Sequence, residues 1–188
     1  GGVGLYRKAS SGAGDEELLL RSGEGKWLDD WSRDGRFLLY SIAAGKTGYD
    51  LWALPLEGDR KPFPVLATPS NETHGQFSPD GHWIAYQSNE SGRPEIYVRP
   101  FPANEGSAGK WMVSTSGGMQ PRWRGDSREL FFVSLDHNVM MAVDVTTSGS
   151  SFQAATPKVL FTAPAIGSSA SVLFHWAVTR DGQRFLFN

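Results

Sequence analysis

Apolar residues recur along this chain at a spacing of two, in four matched groups. They are Trp31–Tyr40, Phe77–Tyr86, Trp123–Phe132 and Val178–Phe187. In each group an apolar residue stands three before an aspartate: Trp31, Phe77, Trp123 and Val178 precede Asp34, Asp80, Asp126 and Asp181. Two more follow it, as Leu38 and Tyr40, Ile84 and Tyr86, Leu130 and Phe132, and Phe185 and Phe187. That spacing puts both on one face of a strand. Each group therefore reads as strand, tight turn, strand. Asp can bond a backbone N–H two residues on, and the glycines that follow (Gly35, Gly81 and Gly182) accept positive φ. Ser127 takes the glycine's place in the third group, which predicts a less regular turn there.

More β-prone runs follow each hairpin. Tyr49–Leu56, Glu95–Phe101 and Asn138–Val145 read as third strands, and Phe63–Thr68, Lys110–Ser114 and Lys158–Phe161 as fourth strands. The aspartates step by 46, 46 and 55 residues, from 34 to 80, to 126 and to 181. Four strands in such a period are the content of one propeller blade. The expected fold is all-β: a β-propeller fragment with three complete four-stranded blades and a partial blade at each end. The boundaries are 1–25 (partial), 26–70, 71–117, 118–163 and 164–188 (partial), within a single domain. Asp15–Leu20 has helix-friendly composition but is too short to stand alone, and reads as a strand edge. Gly- and Ser-rich stretches at 104–109, 147–151 and 167–171 read as loops.

Composition narrows the function. A net charge of −2 over 188 residues gives no field for nucleic acid or anionic lipid. The sequence has no apolar run long enough to span a membrane. Zero cysteines exclude disulfides and thiolate chemistry. Seven Trp, eleven Phe and five Tyr suit the filling between stacked sheets, which lie about 10 Å apart. The chain begins Gly-Gly rather than Met, which reads as an excised piece of a larger protein.

The run Gln76–Phe101, with Gly118–Asp126 beside it, resembles the TolB-type, WD-repeat-like bacterial β-propellers. More narrowly, Asp50-Leu-Trp, Arg99–Pro102 and Asp181–Phe185 look like the propeller region carried by many bacterial serine/threonine protein kinases. The resemblance implies a bacterial sensory or protein-binding module, in an extracytoplasmic or periplasmic setting. It also implies further blades beyond those counted here. No kinase motif is present in this chain.

Candidate chemistry is sparse. Propellers also cap serine peptidases, but a Gly-x-Ser-x-Gly elbow is missing. Ser32 and Ser78 sit in the aspartate turns, where a hydroxyl bonds local backbone. The four turn aspartates belong to different blades and cannot share an ion. No His pair has metal-ligand spacing, so neither a metal site nor a cofactor is expected. His74 and His175 both lie six residues before their aspartates, which directs both toward the inner rim. Arg124-Gly125-Asp126 spells an adhesion tripeptide that the turn chemistry already explains.

Binding is expected on the face opposite the aspartate turns, where second strands lead to third strands and the chain enters each first strand. The candidates there are His74, Asn89, Glu90, Arg93, Met119, Gln120, Asp136 and His137. The leading reading is a non-catalytic module for a protein or small-ligand partner. The alternatives are a peptidase lid and a TolB-like envelope scaffold. Two closures remain open. In one, the chain is an arc with apolar ends that self-associate. In the other, strands within 3–21 and 172–188 pair to close a ring. The arc is favoured.

Overall fold

Residues 3–43, 45, 48–102, 109–136, 138–164 and 171–188 are described in the computed structural model of the protein. Every helix or strand among them is a strand. Strands β1 (Val3–Arg7) and β2 (Glu17–Ser22) form a two-stranded sheet, so Asp15–Leu20 does run into a strand. Next comes a four-stranded antiparallel sheet of β3 (Lys26–Trp31), β4 (Phe37–Ala43), β5 (Tyr49–Pro55) and β6 (Phe63–Leu66). The second such sheet contains β7 (Glu72–Phe77), β8 (Trp83–Ser88), β9 (Glu95–Pro100) and β10 (Trp111–Met112). The third has β11 (Met119–Trp123), β12 (Glu129–Val133) and the long β13 (Val139–Ser148). Both β14 (Ser151–Ala154) and β15 (Lys158–Thr162) pair with β13. Strands β16 (Trp176–Val178) and β17 (Phe185–Phe187) end the chain as a second two-stranded sheet.

The repeat register is kept throughout. Trp31 pairs with Leu38, Phe77 with Ile84, Trp123 with Leu130 and Val178 with Phe185. The two apolar residues after each aspartate face the preceding sheet, and the residues between them face the following one. Leu38 and Tyr40 pack with Leu5, Leu19 and Leu20 of the first half-sheet. Leu39 and Leu51 meet Phe77, Ile84 and Tyr86. Trp83 and Ala85 meet Trp123, Leu130 and Phe132. Phe131 and Val133 meet Trp176, Phe185 and Phe187. The core is thus a series of slabs between sheets, each large side chain worth roughly 1.5–3 kcal/mol on burial.

Four aspartate turns share one hydrogen-bond pattern. The residue after each aspartate donates its amide to the carbonyl two before that aspartate, at 2.8–3.0 Å. Its φ is 78° at Gly35, 76° at Gly81, 75° at Gly182 and 62° at Ser127. The third turn is therefore regular, contrary to expectation: Ser127 adopts the left-handed conformation itself, and its hydroxyl accepts the Asp80 amide at 3.1 Å. Ser32, Ser78 and Thr179 each donate a hydroxyl to their turn aspartate, so both serines have a structural role in the turns.

Two further expectations change, and the choice between closures is decided. The stretch 147–151 is a hairpin rather than a plain loop, because β13 runs on to Ser148 and returns as β14. That return places Phe152 among Trp83, Trp111 and Trp123. Trp31 occupies the expected seat yet stays 48% exposed, because the half-sheet before it lacks the inner strands that would cover it. The two half-sheets are not hydrogen-bonded to one another among the described residues, so the arc, not the closed ring, is found. Residues 104–108 and 167–170 lie outside the described residues.

Candidate functional site

The inner strands of the sheets line a central bore. Each of the first three contains a bulge, at Leu28–Asp30, Thr73–Gln76 and Met119–Arg122. A bulge re-aims side chains out of the strict alternation. His74 and Gln120 sit at equivalent positions in two of these bulges, each with φ of 55°. Both are fully buried, and both meet the segment leading into β16. His74 Nε2 donates to the Leu173 carbonyl at 3.2 Å, and the His74 ring meets the Phe174 ring edge-on at 4.8 Å. Gln120 holds His175 twice, through the His175 amide at 2.8 Å and the ring Nδ1 at 2.9 Å. His74 and His175 thus reach the same rim but are joined through Gln120 and this segment rather than to each other.

A second polar layer lies closer to the aspartate turns. Asp30, Gln76 and Arg122 occupy equivalent positions four before their aspartates. Asp30 Oδ2 accepts the Phe77 amide at 2.9 Å. Trp123 Nε1 donates to the Gln76 carbonyl at 3.3 Å, and Arg122 Nε to the Trp176 carbonyl at 3.0 Å. The Arg122 guanidinium stacks over Phe174 at 3.9 Å. Beside this layer Asp29 is buried and bonded to Ser41, with Oδ1 left unpartnered.

Burial governs the protonation of these groups. It pushes the Asp29 carboxyl up to about 8, helped by the Asp30 charge and opposed by Ser41 and the Gly75 and His74 amides. Asp30 is raised by burial to about 6, against the Phe77 and Trp31 amides and the Arg122 charge. His74 is lowered by burial to about 4. Arg122 is lowered by burial, with both aspartates pulling the other way.

Two mouths flank the bore. A cavity of about 210 Å³ at one is lined by Tyr49, Asn71, Thr73, Gln87, Asn89, Pro94 and Ser171, none of them charged. Asn71 and Asn89 link the loops there: Tyr49 N donates to Asn71 Oδ1 at 3.1 Å, and Asn71 N to Asn89 Oδ1 at 2.8 Å. A cavity of about 310 Å³ at the other is lined by Asp30, Trp31, Arg33, Gln76, Arg180 and neighbouring turn residues. Across the bore Arg33 reaches the Gly125 carbonyl at 3.3 Å.

Of the expected face residues, His74 and Gln120 converge on the bore and Asn89 on its uncharged mouth. Met119 is withdrawn into the core between the third sheet and β16–β17, at 3% exposure, because the bulge that turns Gln120 toward the bore leaves Met119 facing its neighbours. Glu90 pairs with Lys110, and Arg93 with Glu95 at 2.8 Å. The Asp136 carbonyl accepts from Ser134 at 3.2 Å. Glu90, Arg93 and Asp136 line neither mouth. His137 lies outside the described residues. Sequence reasoning missed Asp29, Asp30, Arg122 and Phe174. The polar position four before each of the first three turn aspartates was the available signal. Among the described residues no group of three or more His, Asp or Glu side chains could hold a metal ion. Among the same residues no helix is long and apolar enough to cross a membrane.

TolB from Acinetobacter baumannii matches this architecture with a TM-score of 0.72 at 16% identity, over 97% of this chain and 42% of that one. The fold is TolB-like. A putative TolB from Agrobacterium tumefaciens matches at 0.60 and 18% identity, over 80% of this chain and 55% of that one. A puromycin-hydrolyzing peptidase from Mycobacterium tuberculosis matches at 0.63 and 19% identity, over 95% of this chain and 31% of that one. The TolB-like chain therefore spans less than two thirds of each of these proteins. No protein-family model matches the sequence, and no curated protein matches it.

Proposed function

We propose that this TolB-like propeller arc is a recognition module without a reaction of its own, and that the uncharged mouth of the bore takes the ligand. The observation that carries this reading is the cavity of about 210 Å³ whose lining offers amide and hydroxyl groups but no charge. Such a lining suits a neutral hydrogen-bonding ligand, such as a peptide backbone or a polyol, better than an ion. The side chains there belong to two sheets and to Ser171 ahead of β16, so a ligand would bridge several elements. Sequence resemblance supports placing the module in a larger bacterial protein such as a serine/threonine kinase, with an extracytoplasmic or periplasmic setting. A peptidase lid is the second reading, favoured by the likeness in fold to the Mycobacterium tuberculosis peptidase.

The test is a thermal-shift screen of short neutral peptides and polyols, followed by calorimetry on any hit. Thr73→Val and Asn89→Ala should weaken binding at least about tenfold, or 1.4 kcal/mol. Asp136→Ala, away from the mouth, should leave it unchanged. Hits indifferent to both mouth substitutions would remove the site from this cavity.

A further inference from the structure

The hydrogen bonds around the uncharged mouth fix which of its groups donate and which accept. Apart from Ser171, its lining comes from β5, from β7 and β8, and from the turns beside them. Thr73 pairs with Gln87 across β7 and β8. Asn71 stands two residues before Thr73 and Asn89 two after Gln87, a spacing that puts all four on one face of the hairpin. Thr73 and Gln87 are each 4% exposed and form the floor, and the less buried Asn71 and Asn89 form the rim.

Both rim carboxamides have their oxygen engaged. Asn71 Oδ1 accepts the Tyr49 amide and Asn89 Oδ1 the Asn71 amide, and a backbone N–H can be met only by the oxygen end of a carboxamide. Each Nδ2 is therefore a donor, with no acceptor among the described residues. Gly48, at φ 96°, permits the first of these bonds: a Cβ there would stand 2.2 Å from Asn71 Oδ1. The floor has the opposite polarity. The Leu173 carbonyl can only accept, so the His74 ring proton is on Nε2. Burial keeps that ring neutral at neutral pH, holding it at about 4. His74 Nδ1 is then an acceptor, and the Thr73 hydroxyl donates to it at 3.1 Å. What Thr73 Oγ1 has left for the cavity is acceptor capacity.

A hydroxyl group meets both demands at a single atom: it accepts from a rim NH2 and donates to Thr73. We propose, resting on the reading that this mouth takes the ligand, that the ligand is a neutral carbohydrate whose terminal ring enters between Tyr49 and Pro94. Its hydroxyls meet the rim and floor groups, and its C–H faces lie against the apolar parts of Tyr49 and Pro94. Trp27 steadies the Tyr49 ring edge-on at 5.4 Å. A peptide fits this mouth less well. A chain terminus would bring a charge that the lining cannot neutralise. A mid-chain segment needs a groove open at both ends, and the buried pair Thr73 and Gln87 closes this one from below. The volume of about 210 Å³ also suits one ring rather than several residues.

The experiment follows the full 188-residue chain, isotope-labelled for amide NMR, as three probes are titrated in. They are methyl α-D-glucopyranoside, methyl α-D-galactopyranoside and the peptide mimic N-acetylalanine methylamide. At least one glycoside should shift the side-chain NH2 signals of Asn71 and Asn89 and bind at least about tenfold tighter than the mimic. Asn71→Asp and Asn89→Asp keep the oxygen that the backbone amide needs but remove the NH2 donor. Each should weaken the glycoside at least about tenfold while the backbone amide spectrum keeps its dispersion. Thr73→Ser, which keeps the hydroxyl, should bind it as the parent does. Binding of neither glycoside overturns the carbohydrate assignment, and so does glycoside binding that survives both asparagine substitutions. If the mimic alone binds, and Asn89→Ala weakens it, the mouth stands and only the ligand class falls. If whatever binds is indifferent to Asn71 and Asn89, the mouth falls with it.

Discussion

Asp29 and His74 titrate in opposite senses, and their signs can be worked out separately. Asp29 is held at about 8 in the fold against an ordinary value of 3.8. The folded state binds that proton more tightly, so this stabilisation is complete below about 3.8 and is lost as pH rises toward 8. His74 is held at about 4 against 6.5, so its contribution is complete above 6.5 and is lost as pH falls toward 4. We predict that Asp29→Asn, which keeps a polar partner for Ser41, melts like the parent at pH 4 and higher than it at pH 8. The gain should reach at least about 1 kcal/mol, or about 2–4 °C for a chain of this size. A melting temperature that follows the parent across this range would show that Asp29 does not carry the effect. Ser127 is a balance of two terms. Its left-handed backbone costs about 1–2 kcal/mol, and its hydroxyl bond to the Asp80 amide returns about 0.5–1.5 kcal/mol. Ser127→Gly should therefore change stability by no more than about 1.5 kcal/mol in urea titration. The aspartate turns were legible because their chemistry is local. The carboxyl pair Asp29–Asp30 was not, because its meaning depends on Arg122 and the His74 strand, dozens of residues away.

Strands were read from their period of two, and the elements that escaped lack that period or break it. β13 continues through Thr146, Thr147 and Ser148, polar residues on both faces that resemble a loop. The purpose of the extension emerges only at Phe152, which the hairpin delivers into a cluster of three tryptophans. Phe152→Ala should cost about 3–5 kcal/mol, measured by urea unfolding. A cost below about 1 kcal/mol would mean that the hairpin is an ornament of the third sheet rather than part of its packing. The bulges in β7 and β11 were equally hidden, since nothing in Thr73–Gln76 or Met119–Arg122 announces a shift of register. Gly75 gives one physical reason for the first: a Cβ there would stand 2.5 Å from Leu39 and 2.8 Å from Leu51, both fully buried. Gly75→Ala should destabilise by about 1–3 kcal/mol through overpacking, by the same titration. Met119 was assigned to the binding face on position alone, and the bulge beside it reversed its direction.

At the scale of the whole molecule, the repeat period carried the architecture. The polar bonds between inner strands have a further consequence. Asp30 holds the strand that contains Phe77, the Trp123 indole reaches back to the Gln76 carbonyl, and Arg122 holds the strand that begins at Trp176. Each of these clasps joins two sheets that are consecutive in the chain. During synthesis each new sheet would emerge to find its docking edge already formed. We predict that nascent chains halted after the second sheet resist protease over their first two sheets before the third exists.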